Sequence, residues 1–179
     1  MKRMLALLAF GLGCNTAMAN TGIINFEGTV SPGGTCPINV VTPGGPNLPK
    51  IYLGDFRTSD FTAIGQKTPL QRFALRVDPA TCTITAGDVA AVKFSATYGA
   101  DPSGKLYQLQ SGVDYANGLA LAIIDKSSTQ LDPDAESVEY ELSDKHPTDM
   151  NFTTRLHTTA ASVTEGHIAT SVNFVVDIR

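Results

Sequence analysis

The chain has 179 residues, of which 42% are hydrophobic and 17% charged, with 17 acidic against 13 basic side chains and a formal net charge of −4. That length fills one core and is short for two ordinary domains. The acid excess, with no stretch that interleaves Lys and Arg with aromatic residues, argues against nucleic acid as a partner.

The first predicted element is a secretory signal over residues 1–19: "MKR", the apolar run "MLALLAFGLG" and the small-residue exit "AMA". The apolar stretch is too short to span a membrane, and Ala17 and Ala19 suit a cut before Asn20. "GLGC" admits a lipoprotein reading with Cys14 acylated, but Gly11 stands where such signals want Leu. Cleavage also removes Lys2 and Arg3, leaving 11 basic against 17 acidic side chains.

Next comes "GIINFEGTV" (22–30), in which Ile24, Phe26, Gly28 and Val30 alternate with Ile23, Asn25, Glu27 and Thr29. Short strand-like runs then follow one another, separated by Gly, Pro and Asp clusters: "CPINVV" (36–41), "KIYLGDF" (50–56), "LQRFALRV" (70–77), "VAAVKFSATY" (89–98), "KLYQL" (105–109), "LALAIID" (119–125), "SVEYEL" (137–142), "NFTTRLHTTA" (151–160) and "HIATSVNFVVDI" (167–178). No amphipathic helix longer than two turns is evident, so the pattern predicts an all-β sandwich. "GADPSG" (99–104) and "SSTQLDPDAE" (127–136) read as surface connections.

Export places Cys36 and Cys82, 46 residues apart, in an oxidising compartment, so a disulfide between them is expected. No CxxC and no neighbouring His favours a metal pair or a nucleophile. Asp132, Asp134 and Glu136 alternate, but the loop lacks the glycine and the distal Glu of a calcium site and reads as a solvated acidic turn. His146, His157 and His167 lie in neither an HExxH nor a GxSxG context. The reading is that of a non-enzyme with no cofactor and no metal.

In the last strand, Val172, Phe174, Val176 and Ile178 form one apolar face, and a sticky strand with an open edge invites aggregation unless it is covered. Two sticky strands near the two ends of one chain could pair within the molecule. They also carry a resemblance. "IINFEGTV", the cysteine pair, "IYLGDF", "FALRVDPATC", "GLALAIID" and the block "FTTRLHTTAASVTEGHIATSVNFVVDIR", with Gly166 fourteenth from its end, are similar to the pilin subunits of the chaperone–usher pathway. Ile178 stands where those proteins usually carry Tyr.

That resemblance implies an incomplete immunoglobulin-like β-sandwich over 30–179, completed by a donor strand from a neighbouring subunit. Residues 20–29 would be the donor extension, with Ile24, Phe26, Gly28 and Val30 in register. The implied groove and chaperone contacts are Gly166, Val172, Phe174, Val176, Ile178 and Arg179. The implied partners are a periplasmic chaperone, an outer-membrane usher and neighbouring pilins, and the implied location is a fimbria on the cell surface. An adaptor or terminator role is a variant of this reading. The alternative from another class is an exported carbohydrate-binding sandwich that closes its own sheet.

Overall fold

The computed structural model describes residues 36–179, so the signal segment, the expected donor extension 20–29 and Val30 lie outside the described residues. Within that range lie nine strands, labelled in chain order: β1 (Asn39–Val41), β2 (Gln71–Val77), β3 (Val89–Ala96), β4 (Tyr107–Gln108), β5 (Leu119–Ile124), β6 (Gln130–Leu131), β7 (Tyr140–Glu141), β8 (Thr148–Thr158) and β9 (Val172–Ile178). A single 3-10 turn at Thr58–Asp60 is the one helical element among the described residues. All pairings between these strands are antiparallel. The larger sheet runs β1-β2-β8-β5-β4, with β6 also on β5, and the smaller runs β7-β3-β9. This is the two-sheet β-sandwich that the strand pattern predicts.

Alternation decides which side chains meet between the sheets. Phe73, Leu75 and Val77 of β2, Met150, Phe152 and Leu156 of β8, and Leu119, Leu121 and Ile123 of β5 face Val92 and Phe94 of β3 in one buried cluster. The two layers are locked by aromatic contacts: the Phe94 ring stands edge-on to Phe152 at 5.0 Å, and Phe152 stacks on Phe73 at 5.6 Å. Such pairs contribute about 0.5–1.5 kcal/mol beyond the area they bury. In β5 all six residues are buried, because Leu106 covers Ala120 and Ala122 on the outer side. That explains why "LALAII" is a continuous apolar run instead of an alternating one.

Cys36 and Cys82 are joined, with Cα atoms 4.6 Å apart, which ties the entry to β1 to the β2–β3 connection. Closing a 46-residue loop stabilises the fold by roughly 4 kcal/mol in the chain-entropy view. At the same, C-terminal end of β2, Arg76 Nε–H donates to Asp149 Oδ1 at 2.6 Å and Arg76 Nη2 to Oδ2 at 2.8 Å, while Gly44 N–H donates to Oδ2 at 2.8 Å. This half-buried fork holds the turn after β1 onto β8.

The Arg76 hydrogen bonds, with help from Gly44, hold the Asp149 carboxyl below the usual range against the opposing effect of burial. A depressed carboxylate contributes stability that is present above its unfolded pKa of about 3.9 and is lost as pH falls from there through its folded value. Asp149→Asn is therefore expected to cost about 1–3 kcal/mol at neutral pH. Urea midpoints of the two proteins should converge as the pH falls below 4; a gap that stays constant across that range would show that the ion pair is not its source.

The structure departs from the sequence expectations in four places. Residues 127–136 are not merely a surface connection: Gln130 and Leu131 form β6 against Ile124 and Ile123, and Leu131 is buried. The hairpin is made by Asp125, whose Oδ1 accepts from the N–H groups of Ser127 and Thr129, and by Ser128 with φ 65°. In 99–104, Asp101 is buried and organises its turn by accepting from Ser103, Lys105 and Leu106. The last strand begins at Val172 instead of 167, because residues 167–169 bond to the 108–116 region instead, through His167 to Asp114 and Ala116 and through Ala169 to Gln110. The run 50–56, expected as a strand, joins no ladder among the described residues.

Candidate strand-acceptor groove

Among the described residues, β9 is paired along one edge, to β3. Its register with β3 sets Ile178 opposite Ala90, Val176 opposite Val92, Phe174 opposite Phe94 and Val172 opposite Ala96. These four side chains of β9 are half-buried and pack against the core cluster, whereas Asn173, Val175 and Asp177 between them are exposed, Val175 to 63%. The other edge of β9 has no strand partner among the described residues.

A second row of the same kind lies in the unladdered run 50–57. Ile51, Leu53 and Phe56 are half-buried against the core cluster, and Tyr52 and Asp55 point outward. Gly54 is required there: its φ is +116°, and a Cβ on it would sit 2.9 Å from the Phe56 ring. Leu48, Ile38 and Val40 extend this half-buried row toward β1. β9 and the run 50–57 each set apolar side chains on the core and, among the described residues, leave backbone hydrogen-bonding groups to spare, as an added strand needs. At one end, a cavity of about 300 Å³ joins Phe56 and Phe61 to Val163, Gly166 and Ile168.

Gly166 lies in the wall of that cavity, with φ +145°, and its Cα approaches the Tyr115–Ala116 peptide so closely that a Cβ would come within 2.5 Å of backbone atoms. It sets the path by which the chain enters β9. Arg179 closes β9: its backbone N–H donates to Val89 O at 2.9 Å and its O accepts from Val89 N–H at 2.8 Å. Its guanidinium reaches Glu139 at 2.8 Å, Asp177 at 2.9 Å and Glu136 at 3.2 Å, and these contacts, Glu139 first, raise its pKa further.

The structure thus places Val172, Phe174, Val176 and Ile178 in one row and puts Gly166 at the row's entry and Arg179 at its end. Ile24, Phe26, Gly28 and Val30 lie outside the described residues. The half-buried row from Ile51 to Phe56 is not among the site residues expected from sequence, although the apolar spacing in "IYLGDF" is a usable signal. Of the acidic loop residues, Asp134 accepts from Ser95 Oγ at 2.6 Å and Glu136 serves Arg179. His146 and His167 are exposed, and His157 is buried on β8.

A family model described as "Fimbrial protein" matches residues 24–179. The probable major fimbrial subunit LpfA of Escherichia coli O157:H7 is 29% identical over 178 residues, covering 97% of this chain and 94% of that one. The fimbrial subunit type 1 of Salmonella typhimurium is 29% identical over 159 residues, covering 87% and 81%. Among solved structures, the P pilus rod subunit PapA superposes with a TM-score of 0.60 at 19% identity, over 73% of this chain and 92% of that one, and shares the immunoglobulin-like sandwich.

Proposed function

Since the chain belongs to the fimbrial protein family and is a structural subunit of a fimbria, we propose that it polymerises by donor-strand exchange, residues 24–30 of one subunit lying between β9 and the run 50–57 of the next. The observation that carries this reading is the edge of β9 that has no strand partner among the described residues, with its half-buried apolar row. An inserted strand would gain main-chain hydrogen bonds along that edge and seat alternate side chains on the core, the general mode of β-strand addition. Ile24, Phe26 and Val30 would each contribute roughly 1.5–3 kcal/mol on burial. A joint built from several such contacts holds a fibre without covalent links.

Fimbrial subunits are exported and assembled at the cell surface, and the secretory pattern of residues 1–19 agrees with that route. During transit the open row needs temporary cover, the part we assign to a periplasmic chaperone that lends a strand, with exchange for the next subunit's extension at an outer-membrane usher. In this reading the Arg179 carboxylate meets basic groups of the chaperone.

The donor role is tested at Gly28. It shares the register of Ile24, Phe26 and Val30, so a side chain there would enter a fitted slot, and overpacking costs about 1–3 kcal/mol. Gly28→Leu is expected to export and to form its disulfide normally, yet to give few or no fibres by electron microscopy. Normal fibres would remove this residue from the donor register. A wild-type subunit that stays monomeric and stable without any partner would instead indicate a self-closed sandwich.

A further inference from the structure

On the outer face of the larger sheet, three cationic or imidazole side chains stand close together with no ion-pair or side-chain hydrogen-bond partner among the described residues. Arg155 and His157 are two apart on β8 and so project to the same side, and Lys67 is bridged directly across from His157. His157 is 8% exposed, and its Nε2, like Nε of Arg155, is buried with no hydrogen-bond partner among the described residues. The ion pairs of the described residues involve Arg76 and Arg179, so neither Lys67 nor Arg155 is neutralised by a carboxylate, in a chain whose net charge is −4. Buried polar atoms are nearly always satisfied, so two unpartnered nitrogens at neighbouring positions mark this face as one with hydrogen-bonding capacity left over among the described residues.

His157 opens into a cavity of about 390 Å³, within the range of small-ligand sites. Its wall sets the hydroxyl-bearing Ser103 and Thr159 beside apolar Pro102, Leu106 and Ile64, the last 65% exposed. Asp101 is the one carboxylate in that wall. Its oxygens are already committed to the N–H groups of Ser103, Lys105 and Leu106 and to Ser103 Oγ, and these bonds hold its carboxyl below the usual range although burial acts the other way.

We propose that this face is a binding site for an acidic saccharide, whose oxyanion is held by Lys67, Arg155 and His157 while its ring lies against Ile64 and the cavity hydroxyls. The cations supply charge-assisted hydrogen bonds to a carboxylate or sulfate. The mixed apolar and hydroxyl wall suits a sugar ring, with its C–H face and its rim of hydroxyls. Repeated along a fimbria, one such site per subunit would bind a polyanionic glycan multivalently.

The test uses fimbriae purified from cells, with dextran sulfate as probe, neutral dextran as its uncharged counterpart and inorganic sulfate as competitor. Wild-type fimbriae should retain dextran sulfate, release it to inorganic sulfate and ignore neutral dextran. Lys67→Gln, at an exposed position, should assemble normally and bind about tenfold more weakly, the loss of one charge-assisted bond. Lys145→Gln, outside the site, should bind as wild type. Equal retention of neutral dextran, equal losses in the two variants, or no loss in Lys67→Gln would each overturn the proposal. So would absence of binding, which would leave water as the partner of the two buried nitrogens.

Discussion

Phe174→Asp is expected to abolish recovery of the subunit with a strand-lending partner, whereas Val175→Asp, one residue further along the same strand, should leave recovery unchanged. Phe174 is set opposite Phe94, which is 3% exposed and stands edge-on to Phe152 in the middle of the sandwich. An inserted strand would finish burying position 174. A carboxylate there would lose its hydration with no cation in the row to meet it, a cost of several kcal/mol or a forced protonation. Val175 is 63% exposed on the outer face, where a carboxylate stays in water. The readout is the yield of subunit co-purified from periplasmic extract. Phe174→Leu separates a failure of the groove from a failure of charge tolerance and should recover most of the yield, since it removes part of an apolar contact without adding a charge. Equal yields from Phe174→Asp and Val175→Asp would show that this strand does not face the partner.

The contrast between positions 174 and 175 also marks what the sequence can carry. A period-2 pattern reports which face of a strand is buried, so the row Val172, Phe174, Val176, Ile178 is legible from residues alone. It says nothing about what the backbone bonds to, and "KIYLGDF" therefore reads as an ordinary strand although it joins no ladder among the described residues. β6 is two residues long, below the reach of any periodicity, and its hairpin depends on the Asp125 carboxylate and on Ser128 in a left-handed conformation. Long-range partners left no local trace either. Glu136 and Glu139 lie some forty residues before the Arg179 they hold. His157 reads from sequence as an ordinary strand imidazole, surface or half-buried, and only its packing reveals an unpartnered nitrogen.

Gly166 shows the same limit from the other side, because its position was legible through the resemblance while its reason was not. Gly166→Ala is expected to be among the most damaging single-methyl additions in the chain. At φ +145° the backbone is in a region that side chains rarely adopt, which costs on the order of 1–3 kcal/mol. The new Cβ would also lie 2.5 Å from Ala116 N and from Tyr115 C, and 2.9 Å from Tyr115 O. These are backbone atoms and cannot rotate away. They are held beside the glycine by Ala116 N–H donating to His167 O at 3.0 Å and His167 N–H donating to Asp114 O at 2.7 Å. Relief of the clash would break those bonds, at about 1 kcal/mol each, and move the entry to β9 together with the cavity it lines. A total of about 3–5 kcal/mol is a large share of a domain's net stability. Gly65→Ala is the matched control: its φ is +80°, but nothing lies within 4 Å of the added Cβ, so it carries conformational strain alone, about 1 kcal/mol. Steady-state level of exported subunit and the thermal midpoint of the purified protein should both fall far more for Gly166→Ala than for Gly65→Ala. Equal losses would mean that the left-handed backbone accounts for the whole effect and that the approach to Tyr115 and Ala116 contributes nothing to how the chain enters its last strand.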